Sequence, residues 1–128
     1  RVDLINFYAA HDSGKVINPL LAEGQIEGGA VMGFGWALTE EFKFDNGRIL
    51  NPNFHDYKLF SIKDIPDITP ILVETCDPNG PFGAKGLGEC AMVSTAPAIL
   101  NAIYDAVGVR ICDLPATSEK VFNLIKSK

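Results

Sequence analysis

Between Pro19 and Glu41 a helical pattern of apolar residues carries five glycines. Leu20, Leu21, Ile26, Val31, Phe34 and Leu38 recur at roughly helical spacing, and Glu23 and Glu27 share one face. Gly24, Gly28, Gly29, Gly33 and Gly35 oppose that helix, at about 1 kcal/mol each relative to alanine. So many glycines need a packing reason, most simply the close approach of another backbone. Pro19 suits the first helical turn, where its missing N–H is not needed.

The remaining segments have to pack around that helix. Val2–Ala9 is rich in β-branched and aromatic residues and reads as a strand. His11–Lys15 is turn chemistry. Glu41–Phe44, the turn Asp45-Asn46-Gly47 and Arg48–Leu50 predict a short hairpin. Asn51–Pro66 has no clear period and reads as loop with a short helical turn. Ile68–Cys76 is a second strand, with Pro70 confining its start to an edge or entry position. Glu89–Val107 repeats the helical pattern and stops at Gly108. Val109–Cys112 reads as a short strand, and Thr117 or Ser118 caps a last helix through Val121, Leu124 and Ile125. The fold class expected is α+β: two long helices packed on a small mixed β-sheet. Residues 1–128 form one domain, without internal repeats.

Composition narrows the function classes. A hydrophobic fraction of 47% excludes disorder. A net charge of −5 with no basic stripe argues against a nucleic-acid partner. The longest clean apolar run, Ala30–Leu38, is too short for a membrane span. Cys76, Cys90 and Cys112 are few, scattered and odd in number, so they are expected as reduced cysteines packed as small hydrophobes in a cytoplasmic protein. His11 and His55 have no partner at metal-ligand spacing and read as structural or surface residues. Strand-like residues starting at Val2, directly after Arg1, suggest a piece of something larger.

The informative loop is Gly80-Pro-Phe-Gly-Ala-Lys-Gly-Leu-Gly-Glu89, between a strand and a helix. Its glycines permit positive φ and close approach of the backbone to a ligand. A phosphate-cradling loop needs Gly-Lys-Ser/Thr, and here Gly86 follows Lys85, so that reading fails. Gly86-x-Gly88-x-x-Ala91, with Asp113 further on, fits a dinucleotide fingerprint, but a long loop separates Gly86 from its strand. A connecting loop with no ligand is the third reading.

Read as a whole, Gly80–Glu89 closely resembles the carboxy-terminal active-site segment of the molybdenum hydroxylases, the xanthine dehydrogenase and aldehyde oxidase family. Asp12-Ser-Gly-Lys-Val-Ile-Asn-Pro19, Gly24-Gln-Ile-Glu-Gly-Gly-Ala-Val-Met-Gly33 and Leu38-Thr-Glu-Glu41 resemble further segments of that family, in the same order. The resemblance covers essentially the whole chain. It implies the last part of a large molybdenum-binding subunit, within a larger cofactor-binding domain. It also implies a molybdopterin-type molybdenum cofactor, with iron–sulfur clusters and flavin on other domains or subunits. The implied partners are the rest of the large subunit, electron-transfer subunits and a small-molecule substrate.

The resemblance assigns roles to named residues. Glu89 matches the general base, which accepts a proton while an oxygen attacks an electron-poor carbon of a purine, nicotinate-like heterocycle or aldehyde. A carboxylate suits that work when partial burial makes it basic enough. Gln25 matches a glutamine that contacts the pterin. Lys85, Gly86, Leu87 and Gly88 match a loop passing close to the cofactor and offering backbone N–H groups. Phe82 is the one aromatic of the loop that could touch substrate. The bland alternatives are a helix-capping Glu89, a solvated Gln25, a Lys85 weakly paired with Glu89, and a non-catalytic assembly module. A chain cut from such a subunit is expected to be inactive alone and to self-associate, with Phe34, Trp36 and Leu38 in an exposed apolar patch.

Overall fold

The computed structural model describes all 128 residues. Strand β1 (Asn6–Asp12) runs parallel to β4 (Asp67–Val73), with Ala9 opposite Pro70. Pro70 is tolerated because β4 has a single neighbour and needs no second ladder. Between them lie helix α1 (Pro19–Leu38) and the hairpin β2 (Phe44–Asp45) and β3 (Arg48–Ile49). Asn46 and Gly47 both hold positive φ, 46° and 82°, which is what a two-residue hairpin turn requires. Asn51 ties off the hairpin: its Nδ2 donates to Glu41 O at 2.7 Å, and its Oδ1 accepts from Lys43 N at 2.9 Å.

Helix α1 begins as its sequence prescribes. The Asn18 side chain accepts from Leu21 N at 3.2 Å, and Pro19 opens the first turn. The second helical pattern is two helices, α2 (Cys90–Val93) and α3 (Thr95–Val107). Pro97 explains the break: it has no N–H to donate, and its ring would crowd the Val93 carbonyl of a continuous helix. Cys90–Val107 is apolar enough over 18 residues to pass for a membrane span by length and composition. It is interrupted at Ser94, however, and Thr95, Ile99 and Ile103 are buried in the protein. Gly108, at φ 68°, ends α3 and donates to Tyr104 O at 2.7 Å. Thr117 caps α4 (Ser118–Lys126), accepting from Lys120 N at 3.2 Å.

Three expectations need correction. Val109–Cys112 is not a strand: Val109 and Ile111 are buried in alternation, but no second strand pairs with them. Of the two long helices only α1 packs on the sheet, joined there by Ala91 of the short α2; the second long helix, α3, lies on α1. Phe34 and Leu38 are not in an exposed patch, because they sit in the core with Ala30, Ala37, Ile99, Ile103 and Val121. Phe7 meets Phe34 edge-on with ring centroids 5.0 Å apart. Trp36 does remain exposed, as do Leu20 and Leu21 on the same helix.

Gly35 lies against the Glu40 side chain, and the other four glycines of α1 divide into two sets. A Cβ on Gly29 would stand 2.6 Å from the Ala91 Cβ, and one on Gly33 would stand 2.5 Å from the Thr95 Cβ. These two serve the close packing of α2 and α3. A Cβ on Gly24 or Gly28 would meet nothing within 4 Å. Packing cannot explain that second set.

Candidate functional site

The loop after β4 is held by the turn after β1. Lys15 N donates to Gly83 O at 2.6 Å, and Lys85 N donates to Ser13 O at 3.0 Å. Gly14, at φ 62°, is required at the crossing, since any Cβ there would collide with the Gly83 carbonyl oxygen. Leu87 then packs against the small core of Ala9, Ile26 and Ala91, pinning the loop from below. The N–H groups of Gly86, Leu87 and Gly88 find no acceptor within the chain. An added Cβ on Gly86 or Gly88 would meet nothing within 4 Å.

Beside this loop is a cavity of about 370 Å³, lined by Gln25, Gly28, Gly29, Met32, Gly88, Glu89 and Met92. It joins one face of α1 to the end of the loop and the start of α2. Gln25 Nε2 donates to Gly88 O at 3.4 Å, a long bond that leaves the rest of its amide available. Glu89 stands just before α2 and is exposed; its carboxylate caps no helical N–H. The helix-capping alternative thus has no hydrogen bond behind it and is left with the position of Glu89 at the N-terminal end of a four-residue helix. The burial expected around Glu89 does not come from this chain either. A larger cavity of about 450 Å³, beside Arg1, Thr39, Lys58 and Lys63, contains none of Gln25, Lys85, Gly86, Leu87, Gly88 and Glu89.

Lys85 departs from expectation. Its N–H is bonded to Ser13 O, so it offers no free amide to a ligand. Its ammonium is committed as well, reaching Asp12 Oδ2 at 2.5 Å and Thr75 Oγ1 at 3.0 Å. Thr75 Oγ1 in turn donates to Asp12 Oδ2 at 2.7 Å, and Gly14 N donates to Asp12 Oδ1 at 2.9 Å. The Lys85 ammonium, then the Thr75 hydroxyl and the Gly14 amide, hold the Asp12 carboxyl well below the usual carboxylate range. Asp12 raises Lys85 above the ordinary lysine value in return. Both shifts keep the pair ionised across the neutral range.

Other readings fall away on geometry. Asp113 follows no strand and pairs with Lys120 Nζ at 2.5 Å, so the dinucleotide fingerprint lacks its ribose-binding acid. All three cysteines are exposed rather than packed in the core. His55 is exposed and lies 2.9 Å from Asp56. Phe82 is 90% exposed at φ 55° and lies outside the cavity lining. Met32 and Met92 join the site without a signal in the sequence, since a methionine at helical spacing reads as core. Asp12 and Thr75 join it through Lys85, and no short motif contains all three.

The family model of the molybdopterin cofactor-binding domain matches residues 1–66. The chain belongs to that family. The match includes Gln25 and the open glycines of α1, while Glu89 lies beyond it. Relatives cover the remainder. A putative xanthine dehydrogenase molybdenum-binding subunit of Escherichia coli is 43% identical over 124 residues, 95% of this chain. The gamma subunit of the 6-hydroxypseudooxynicotine dehydrogenase complex of Paenarthrobacter nicotinovorans is 41% identical over 94% of this chain. In each case the chain spans 16% of the relative's length. The crystal structure of quinoline 2-oxidoreductase from Pseudomonas putida 86 superposes with a TM-score of 0.91 at 35% identity, covering 98% of this chain and 16% of that one. These relatives are named as a molybdenum-binding dehydrogenase subunit, a subunit of a dehydrogenase complex and an oxidoreductase, and the cofactor of this family is molybdopterin. The cavity fits part of such a group: it has a glycine surface without side chains, unpartnered loop amides beside it, and an amide at Gln25.

Proposed function

We propose that this chain forms one wall of the molybdenum–pterin site of an oxidoreductase that hydroxylates an electron-poor carbon. The substrate class is a purine, a nicotinate-like heterocycle or an aldehyde. One observation carries the reading: Gln25 and Glu89, from opposite halves of the chain, line one glycine-surfaced cavity. A non-catalytic module would have no need to bring an amide and a free carboxylate together there.

The residues divide the work by their chemistry. Gly28 and Gly88 allow a flat ligand to approach the backbone closely. Gly86, Leu87 and Gly88 present unpartnered N–H donors, so an acidic chain can hold an anionic cofactor without a basic patch. Gln25 donates or accepts at its amide. Glu89 accepts a proton at its carboxylate from the attacking oxygen. When bound, the molybdenum centre supplies the two-electron redox chemistry. Further segments of the subunit must cover Glu89 and exclude water, because this chain leaves it exposed. The test is Glu89→Gln in the complete enzyme: full cofactor content with lost turnover supports the reading, and an unchanged rate of reduction by substrate overturns it.

The same geometry sets two more expectations. Gln25→Ala in the complete enzyme should lower molybdenum and pterin content with a smaller effect on turnover per bound cofactor, on the order of 10- to 100-fold in retention. Cofactor analysis of the purified variant checks this, and wild-type content would count against the contact. The 128-residue chain purified alone should hold no stoichiometric molybdenum and should self-associate. Only 20 of its 128 residues are buried, while Leu20, Leu21, Trp36 and Ile62 are exposed, so apolar surface is left uncovered. Light scattering showing a monomer at high concentration, or metal analysis showing a full molybdenum site, would sink the respective claim.

A further inference from the structure

We infer that Asp12, Thr75 and Lys85 form a positioning clamp, through which the ends of both parallel strands set where Glu89 stands. Asp12 is the last residue of β1, and Thr75 lies two residues beyond β4. Lys85 closes the gap between them with bonds of 2.5 Å and 3.0 Å, while its own N–H is held by Ser13 O at 3.0 Å. It is thus fixed at both main chain and side chain. Both Asp12 oxygens are occupied, one by Lys85 and Thr75 and the other by Gly14 N. Exchange of any member leaves a partner unsatisfied.

The segment from Gly86 to Glu89 has little means of fixing itself. Gly86 and Gly88 have no side chains, and their positions are open on the side a Cβ would occupy. Leu87 supplies a single apolar anchor. Helix α2 is four residues long, and Glu89 makes no capping bond to it. Lys85 is the last doubly held point on the amino-terminal side of the carboxylate; the Gln25 bond to Gly88 O and the buried Ala91 hold the other side, so Glu89 is set between two anchors and the clamp supplies one of them. The lysine and aspartate side chains are about one-third exposed, at 35% and 34%. Ion pairs of that exposure contribute little to stability. Geometry is the better account of so complete a bond set.

This inference rests on Glu89 being the base, and the experiment separates the two claims. In the complete enzyme, Asp12→Asn, Lys85→Met, the double variant and Lys85→Arg are compared with wild type and Glu89→Gln. The first readout is hydrogen exchange at the bonded amides of Ala84, Lys85 and Met92, against those of α3. The second is the limiting rate of enzyme reduction by substrate, separated from KM. Asp12→Asn and Lys85→Met should speed loop exchange about tenfold or more while leaving α3 unchanged. They should lower the limiting rate about 10- to 100-fold, the penalty of displacing a reacting group by a fraction of an ångström to an ångström, with little change in KM. The double variant should be no worse than the worse single one, because one interaction is lost in each. Lys85→Arg, which keeps charge and reach, should recover most of both readouts. Unchanged loop exchange overturns the clamp whatever Glu89 does. Faster exchange with an unchanged limiting rate overturns its positioning role, as does faster exchange spread equally through α3. A Glu89→Gln variant reduced at the wild-type rate removes the base and the positioning role together, and the exchange data still decide whether the clamp holds the loop.

Discussion

Glu89→Gln in the complete enzyme is expected to keep molybdenum and pterin near wild-type levels while reduction by substrate slows about 10²- to 10⁴-fold. That range corresponds to about 3 to 5 kcal/mol of barrier. Glutamine keeps the shape and the hydrogen-bonding capacity of the side chain but cannot take up a proton at neutral pH. The structure makes the experiment clean. Glu89 makes no capping bond and no ion pair within this chain, so its replacement breaks no contact that holds this chain's fold. Any large kinetic loss then belongs to chemistry. Rapid-mixing measurement of the reductive half-reaction should show it, while reoxidation by the electron acceptor proceeds at the wild-type rate. Reduction at an unchanged rate with full cofactor occupancy would leave Glu89 without a catalytic role.

Local signals make much of this fold legible in the sequence, and remote pairings hide the rest. Asn18-Pro19, Asn46-Gly47, Gly108 and Thr117 each act through their own backbone or a neighbour within four residues, and each marks the expected start, turn or stop. The break at Ser94 has a local cause in Pro97, but a proline near a helix start is equally compatible with one continuous pattern. Val109–Cys112 misleads because alternating burial is normally a strand's signature, and here it arises without a ladder. Which face of α1 is covered cannot be read, because Leu20, Leu21 and Trp36 are as apolar as the buried Phe34 and Leu38. Gln25 and Glu89 stand out through motif resemblance, and the structure brings them to one cavity. The same resemblance puts Lys85 at the cofactor. Its commitment to Asp12 depends on two segments 73 positions apart, and no local pattern reports such a contact.

The two sets of glycines in α1 predict opposite responses to one chemical change. Gly33→Ala would place a methyl 2.5 Å from the Thr95 Cβ, with Thr95 itself fully buried and its hydroxyl bonded to Ala91 O at 3.2 Å. Neither helix can yield without moving the other, so overpacking should cost about 1 to 3 kcal/mol. Alanine's higher helix propensity returns roughly 1 kcal/mol of that. Gly29→Ala meets the Ala91 Cβ in the same way, and the double substitution should be the most damaging, visible as earlier thermal inactivation of the complete enzyme. Gly28→Ala meets nothing, so propensity acts unopposed and should stabilise the helix by about 0.5 to 1 kcal/mol. Yet Gly28 lines the cavity beside Gln25 and Glu89, and a methyl there occupies space the proposed cofactor needs. The Gly28→Ala enzyme should therefore be as stable as wild type or more so when free of cofactor, and deficient in molybdenum as isolated. Full molybdenum content in Gly28→Ala would mean that the open glycine face of α1 lies away from the pterin, and the cavity would then have to be assigned to substrate alone.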